Sequence, residues 1–276
     1  MREELNNLIK RAKKGDVSIL ENPLCGRLDE ILPYAPIHYL AHKGKIEILN
    51  YPHLYVIPTR TDKYTSLHIL GMRGHLEILE KKESYLITDY EGRTPYLSLA
   101  LGGNISLLKT GIIESQVDLK GWTAMHYLAA YSPLVDDTIF YKQKNDKDPV
   151  LHALVDHPDL TKYTDNMGDT PLHILCRKHI TGDMIGNIEI WKDIVQKLLS
   201  RKDILVKNNS GIPALQCLAT HDQVYAISKE KILNRFNWFD PTDYFEDGEK
   251  FGIVKLINTI ANVPNTANYI FELQLE

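Results

Sequence analysis

Four histidines occupy equivalent places in short, similar segments, and this pattern could in principle hold a metal ion. They are His38, His68, His126 and His173, and each lies three residues after an Ala or a Thr. Imidazole nitrogens are common zinc ligands, and zinc needs each nitrogen at about 2 Å from one centre. A metal site therefore depends on whether the fold brings the four rings to one point.

Two cysteines lie close to histidines, which is the second pattern that could do chemistry. Cys176 is three residues from both His173 and His179, and Cys217 is four residues from His221. On a helix, residues at these spacings share a face, as a thiol–imidazole nucleophile pair would require. No G-x-S-x-G, H-E-x-x-H or G-x-x-x-x-G-K-[ST] motif occurs anywhere in the sequence.

Charge and composition narrow the class of protein. The chain has 276 residues, a net charge of -4 and 43% hydrophobic residues, so it can form a sizeable core and has no general attraction for nucleic acid. Its three cysteines form no C-x-x-C pair, which favours a reducing compartment. The N-terminal segment has no signal-peptide core, and no later stretch reaches about 18 apolar residues. We expect a cytoplasmic protein without a membrane-spanning segment.

A tetrapeptide similar to Thr-Pro-Leu-His recurs along most of the chain. We number its six copies in chain order, and they begin at Ala35, Thr65, Thr94, Thr123, Thr170 and Pro213. The first four starts are 30, 29 and 29 residues apart, and the last three are 47 and 43 apart. Four copies follow an Asp/Asn-x-x-Gly sequence, which favours a tight turn, and Thr or Pro then favours a helix start.

These segments resemble ankyrin repeats, whose signature is a turn and two helices with T-P-L-H-x-A at a period of about 33 residues. The fifth copy, 170–173, matches the tetrapeptide in full, and the resemblance covers about 35–221. It implies an all-α ankyrin-repeat solenoid of about six repeats. Residues 1–34 would form an N-terminal capping repeat, and 222–276 a helical C-terminal cap or extension.

The spacing of the copies departs from the family pattern in two ways. Spacings of 29 or 30 are about one helical turn short of 33, so we expect short second helices around 44–51, 74–81 and 103–110. The wider spacings place insertions near 133–148 and 179–187, which in solenoid repeats form loops.

The resemblance also changes the interpretation of the histidines and cysteines. In the family, the tetrapeptide histidine bonds within the corner between turn and helix. Equivalent positions in stacked repeats lie about 8–10 Å apart, too far for one zinc ion, and Leu97 and Gln216 replace the histidine in two copies. Cys176 stands where the other copies have a small residue. We therefore predict no metal, no cofactor and no catalytic residue.

Ankyrin repeats usually hold their partners with the turn tips and the exposed face of the first helices. Carried over to this sequence, that pattern predicts the partner-binding residues Tyr64, Met72, Arg73, Tyr90, Arg93, Trp122, Tyr131, Arg177 and Lys178. Tyr, Trp, Arg and Met are typical of interface hot spots. We predict the anchor at Arg73, Tyr90, Arg93, Trp122 and Tyr131, whose basic members would suit an acidic stretch of the partner. The alternative is that Tyr64 and Trp122 merely pack on neighbouring turns.

The resemblance implies a protein-binding adaptor rather than an enzyme. We expect a monomer that binds a protein of unknown identity, without nucleic-acid binding or membrane insertion. Shortened, divergent repeats of this kind are similar to those of effector proteins that intracellular bacteria deliver into host cells, where the chain would act in the host cytosol. One alternative is an enzyme with a cysteine-based or C-terminal active site on an ankyrin scaffold. The other is a solenoid that binds a ligand or a nucleic acid.

Overall fold

A computed structural model describes residues 2–28, 32–109, 116–130, 149–177 and 194–219, the last range without 195, 196 and 199. Every named element in these residues is helical, as an all-α protein requires, and the one extended pairing is an isolated bridge between Lys207 and Pro213. The chain divides into two compact units, Met1–Gln143 and Lys144–Glu276. None of the described helices combines the length and apolar character needed to cross a bilayer.

The N-terminal unit alternates α-helices with short 3-10 helices. Its α-helices are α1 (Arg2–Lys13), α2 (Pro36–His42), α3 (Pro52–Tyr55), α4 (Ser66–Met72), α5 (Pro95–Leu101) and α6 (Ala124–Ala130). Its 3-10 helices are Val17–Glu21, Ile46–Asn50, Leu76–Glu80, Lys82–Tyr85 and Ile105–Lys109. The C-terminal unit contains α7 (Pro149–Val155), the 3-10 helix Pro158–Thr161, α8 (Pro171–Arg177) and α9 (Ala214–Ala219).

The predicted short second helices form where the spacing places them. The 3-10 helices Ile46–Asn50, Leu76–Glu80 and Ile105–Lys109 lie within the three predicted segments, and each is five residues long. In the N-terminal segment predicted as a capping repeat, α1 and the 3-10 helix Val17–Glu21 flank a Gly-Asp pair. The predicted insertions and the segment 222–276 lie outside the described residues.

The helix boundaries follow from local chemistry. Thr94 has an extended backbone and its hydroxyl accepts a hydrogen bond from the N–H of Leu97, which caps α5. Pro36, Pro95 and Pro171 open their helices, where the missing N–H has no helical acceptor to lose. A glycine with positive φ follows the C-terminal end of α1, α2, α4 and α5 and turns the chain into the 3-10 helix.

The core of the N-terminal unit lies between the first helices of successive copies, which are α2, α4, α5 and α6. α4 packs on α2 and on α5, and all seven of its residues are buried. The α4–α5 approach is so close that a Cβ on Gly102 would lie 2.4 Å from the carbonyl oxygen of Met72, so only glycine fits there. Met72 itself is 7% exposed. This predicted partner-binding residue therefore has little surface to offer, because α5 covers the end of α4.

The spacing of 30 between the first two copies has a specific cause. The turn before Thr65 runs from Thr59 to Tyr64, where the N–H of Thr59 donates to the Tyr64 carbonyl at 2.7 Å. The turn before Thr94 closes one residue sooner, from Asp89 to Arg93. The extra residue of the first interval therefore lies in the turn at 59–64 rather than in a helix.

Ser66 offers a test of how the first position of these helices contributes to stability. Its hydroxyl is buried without a hydrogen-bond partner among the described residues, at the position where other copies have proline. Thr65 before it is extended (φ -92°, ψ 169°), as a residue preceding proline should be. We expect Ser66→Pro to raise the free energy of unfolding by about 1 kcal/mol, measured by urea denaturation, because it removes the unsatisfied hydroxyl and restricts the unfolded chain.

The matched control is Ser66→Ala, which removes the hydroxyl without restricting the backbone. Ser66→Pro should be the more stable of the two variants. A proline variant less stable than the alanine variant would contradict this account of the helix start.

Candidate functional site

Four turns in the described residues are built on one side chain each. In the turn that begins at Asp89, the carboxylate oxygen Oδ1 accepts hydrogen bonds from the N–H groups of Glu91 (2.8 Å) and Arg93 (2.9 Å). The N–H of Asp89 donates in turn to the Arg93 carbonyl at 3.0 Å. The same three bonds recur in the turns that begin at Asp118, Asp165 and Asn208. These bonds hold each turn tip in one conformation.

Neighbouring turns are joined to each other by main-chain hydrogen bonds. In the N-terminal unit, the N–H of Leu119 donates to the Glu91 carbonyl at 3.0 Å, and the N–H of Tyr90 donates to the Asp62 carbonyl at 3.2 Å. Gly92 has φ 79° and faces the backbone N of Leu119, so a side chain would fit neither its conformation nor its space. Three successive tips of this unit therefore lie side by side.

The tetrapeptide histidines connect the helix starts to the turns. The Nδ1 atom of His68 accepts a hydrogen bond from the N–H of Thr65 at 3.1 Å, so its Nε2 carries the proton and donates to the Arg93 carbonyl at 2.9 Å. The Nδ1 of His38 likewise accepts from the N–H of Ala35, but its Nε2 bonds to the Ile57 carbonyl, which precedes the turn at 59–64. His173 makes the same pair of bonds as His68 in the C-terminal unit, and the Nδ1 of His126 accepts from the N–H of Thr123.

These bonds leave the ring nitrogens of His38, His68 and His173 without a lone pair for a metal. Among the described residues, no group of three or more His, Cys, Asp or Glu side chains is arranged to hold one. The histidines thus serve the corner between helix and turn, as the resemblance implied.

Arg93, predicted to anchor a partner, is bound within the protein. Its Nε donates to Asp89 at 2.6 Å, and its two terminal nitrogens reach the Tyr64 hydroxyl at 2.6 Å and the Glu91 carboxylate at 3.0 Å. The side chain is 12% exposed. Because each of its three nitrogens already contacts an acceptor of the protein, Arg93 mainly joins the turn at 89–93 to the preceding turn.

Two predicted aromatic residues also pack internally. The Tyr64 ring lies 5.9 Å from the His68 ring, and the Trp122 ring stacks on His126 at 6.1 Å. Trp122 also meets the edge of Tyr127, whose hydroxyl donates to Asp118 at 2.6 Å. These contacts favour the alternative in which Tyr64 and Trp122 support the turns.

The remaining predicted residues have different surroundings. Tyr90 is 56% exposed at a turn tip, and the Lys63 ammonium lies 4.6 Å from its ring centroid. Arg73 is exposed at the end of α4. In the C-terminal unit, Arg177 pairs with Asp169 through both terminal nitrogens. Tyr131 and Lys178 lie outside the described residues.

Exposed apolar residues on the tips were missing from the predicted set. Leu119 is 72% exposed, and Met167, in the C-terminal unit, is 63% exposed. Leu119 occupies the first x position of an Asp-x-x-Gly turn and Met167 the second. The sequence signal that could have identified both residues is a large apolar side chain between the Asp and the Gly of a polar turn.

The three cysteines are free and buried. Burial raises the pKa of the Cys25 thiol to about 12, and burial also raises the pKa of Cys176 and of Cys217. A nucleophilic cysteine needs the opposite shift, because the thiolate is the reactive form. This environment is typical of structural cysteines.

Neither a comparison with protein-family models nor one with curated proteins found a match. The function therefore has to be inferred from the geometry of the turns and helices.

The buried histidines predict a loss of stability in mild acid. Burial lowers the pKa of both His38 and His68 from 6.5 to about 4. The native state therefore favours the neutral ring, and the stability it provides is complete above pH 6.5 and lost as the pH falls towards 4. We expect the free energy of unfolding to fall by about 1.4 kcal/mol per pH unit for each such histidine in this window.

Urea denaturation between pH 7 and 4.5 measures this slope. His68→Gln is the matched variant, because Gln216 occupies the same position in the sixth copy and does not titrate. The slope of the free energy of unfolding against pH should be shallower for the variant, by the contribution of about one bound proton. An unchanged slope would contradict the role given to His68.

Thiol labelling tests whether any cysteine is activated. At pH 7.5 we expect a maleimide to label Cys25, Cys176 and Cys217 slowly in the folded protein and rapidly in urea, with the sites read by mass spectrometry. Labelling of Cys176 or Cys217 in the folded protein at the rate of a free thiol would instead support the cysteine-based enzyme.

Proposed function

We propose that this chain is an ankyrin-repeat solenoid that binds another protein through its turn tips. The observation that carries the proposal is the pair of exposed side chains Tyr90 and Leu119 on adjacent, hydrogen-bonded tips of the N-terminal unit. The proposed binding takes place in the cytoplasm, or in the host cytosol if the chain is a delivered effector.

The ankyrin part of the proposal is supported by the order of local structures. A turn built on Asp or Asn, a seven-residue helix, a glycine and a short second helix follow one another in the third copy, and the second copy differs only in its turn. The bonds from the Nε2 of His68 and of His173 to the end of the next turn add a tertiary contact that a chance match of four residues would not produce.

The proposal that the tips bind a partner is supported by their exposed apolar side chains and by the hydrogen bonds that hold the backbone of the tips. Large apolar side chains at a turn tip gain nothing from water, so their exposure favours a role in contact with another molecule. The carboxylates of Asp89 and Asp118 and the bond from Leu119 to Glu91 fix the backbone beneath them. Binding would therefore require little further ordering of the tips, which lowers its entropic cost.

This proposal places the anchor for the partner at Tyr90 and Leu119 instead of at Arg93 and Trp122. Arg93 and Trp122 stay close to it but act mainly by positioning the tips, since Arg93 joins Asp89 to Tyr64. Replacing Arg93 with alanine would leave the buried Asp89 carboxylate without its cation, so it would disturb the turn itself. A clean test must change exposed residues.

The experiment compares affinity capture on the unaltered chain with capture on the Tyr90→Ser/Leu119→Ser variant. The control is Ile46→Ser/Leu86→Ser, which removes two exposed apolar side chains away from the tips. We expect a cytosolic protein to be captured by the unaltered chain and by the control. Its affinity, then measured by calorimetry, should be weaker for the tip variant by about tenfold or more, as for a hot-spot pair.

Circular dichroism and a thermal melt establish that the tip variant is folded. Equal affinity for the tip variant and the unaltered chain would show that the tips are not the binding surface. If no protein is enriched on the unaltered chain relative to the tip variant, the proposed function is wrong.

A further inference from the structure

A second feature of the N-terminal unit lies at the C-terminal ends of α1, α2 and α4. Lys14, Lys43 and Arg73 each stand immediately before the glycine that ends the helix region. We call these three residues the basic column. A cation is favourable at a helix C-terminus, and the equivalent position after α5 is Gly102, where only glycine fits.

The members of the column are neighbours in space. The Cβ of Lys43 lies 4.0 Å from the point where a Cβ on Gly15 would stand, and Gly15 follows Lys14 directly. In the same way, the Nε of Arg73 lies 3.5 Å from the corresponding point on Gly44, next to Lys43. The chain segments that carry Lys14, Lys43 and Arg73 are therefore neighbours, and Lys45 lies here too, with its Cε 2.8 Å from the same point on Gly15.

The column carries positive charge that the protein does not neutralise. In the part of the chain that the structure describes, the side chains of Lys14, Lys43 and Arg73 have no hydrogen bond and no ion pair, and all three are exposed. The whole chain has a net charge of -4, so this is a local excess. Burial lowers the pKa of the nearby His42 to about 4, and the charge of Arg73 contributes to the shift.

Aromatic rings contact His42 and Lys13, the residues that precede Lys43 and Lys14 in the sequence. The Tyr34 ring is 5.4 Å from the His42 ring and 5.8 Å from the Tyr39 ring, both of which belong to α2. The Lys13 ammonium lies 5.0 Å from the Tyr39 ring centroid. Rings of this kind form the surfaces on which polyproline II segments dock.

The spacing of the column selects the conformation of a ligand. Packed helices lie about 8–10 Å apart, so we expect the backbone positions that carry successive cations to repeat at about that distance. A polyproline II helix has three residues per turn and rises about 3.1 Å per residue, so every third side chain faces the same way at intervals of about 9.3 Å. Side chains on one face of a β-strand repeat at only about 6.6–6.8 Å.

We propose that the basic column binds an extended acidic segment of a partner protein, in polyproline II conformation, with a carboxylate at every third residue. The prolines or other apolar residues between the carboxylates would contact Tyr34 and Tyr39. This inference rests on the proposed function only for the statement that the partner is a protein.

Nearby acidic residues favour a peptide over a nucleic acid. Glu47 and Glu77 are exposed just beyond the glycines, and the Glu77 carboxylate lies 3.8 Å from the ring of His75, which itself lies against Gly44. A continuous polyanion would be repelled by these carboxylates. Single carboxylates spaced to meet the three cations would avoid them.

The test uses two labelled peptides of one composition in fluorescence anisotropy. The periodic peptide repeats the unit Glu-Pro-Pro four times, so its carboxylates occur at every third residue. The block peptide has the same glutamates in one contiguous run, followed by all of the prolines. We expect the periodic peptide to bind more tightly by about fivefold or more, as alignment of two or three charge pairs would give. The affinity should fall as the salt concentration rises.

Two charge-reversal variants locate the binding. Lys43→Glu/Arg73→Glu should weaken binding of the periodic peptide by at least about tenfold. The control Lys82→Glu/Lys207→Glu makes the same change in net charge at exposed residues outside the column and should retain the affinity. All four positions are exposed, and circular dichroism with thermal melting confirms that each variant is folded.

Equal affinity for the two peptides, or an equal loss in both variants, would overturn the proposal. So would tighter binding of a labelled oligothymidylate that is lost in the column variant, because the column would then be a nucleic-acid site. The Tyr90→Ser/Leu119→Ser variant should bind the periodic peptide normally. If it does while no partner is captured at the tips, the proposed function fails and the column remains.

Discussion

The neutral imidazole that joins a helix start to the next turn is the interaction on which the described structure depends. The Thr65 N–H at the start of α4 has no helical acceptor, and leaving such a group buried and unpaired costs about 1–3 kcal/mol. The ring of His68 accepts from it and donates to the Arg93 carbonyl, 25 residues later, with one proton. A charged ring could not accept, and a residue with a single polar atom could not do both. The ring therefore sets the position of the next turn, and through it the tip at 90–91 and the line of tips beside it.

Local features of this architecture could be predicted from sequence because their causes are local. The Asp-x-x-Gly turns, the helix starts at Thr or Pro and the shortened second helices depend on residues within about one turn of each other. The turn at 59–64 has neither Asp nor Gly at the usual places, so only its position between two copies indicated it. There, Thr59 supplies the acceptor for the Tyr64 N–H, and Lys63 takes the positive φ. Substitutions of this kind preserve the hydrogen bonds while removing the motif.

Predictions about the surface were less successful where the decisive contact is distant in sequence. Arg93 and Arg73 are the same residue type, and both were assigned to the anchor. Arg93 reaches Tyr64, 29 residues earlier, and each of its three nitrogens contacts an acceptor, whereas Arg73 makes no hydrogen bond or ion pair among the described residues. Met72 was expected on the surface, but the close approach of α5 at Gly102 covers it. Residue type indicates what could bind. Only the hydrogen-bond partners show whether a side chain is still available.

Because of the histidine hydrogen bonds, the two ends of α4 have different roles. At its N-terminal end, α4 is surrounded by Thr65, His68 and the following turn, and polar groups there are engaged with each other. At its C-terminal end, Arg73 is exposed, and its Nε lies 3.5 Å from the point where a Cβ on Gly44 would stand. Lys and Arg both occur at this end without disturbing the corner, whereas the close approach of Met72 leaves room only for glycine at the equivalent position 102. The distance between such positions, however, is set by helix packing and cannot vary. A ligand that contacts several of them would therefore carry its charges at about the helix-packing distance, so the architecture limits the spacing of the ligand's charges.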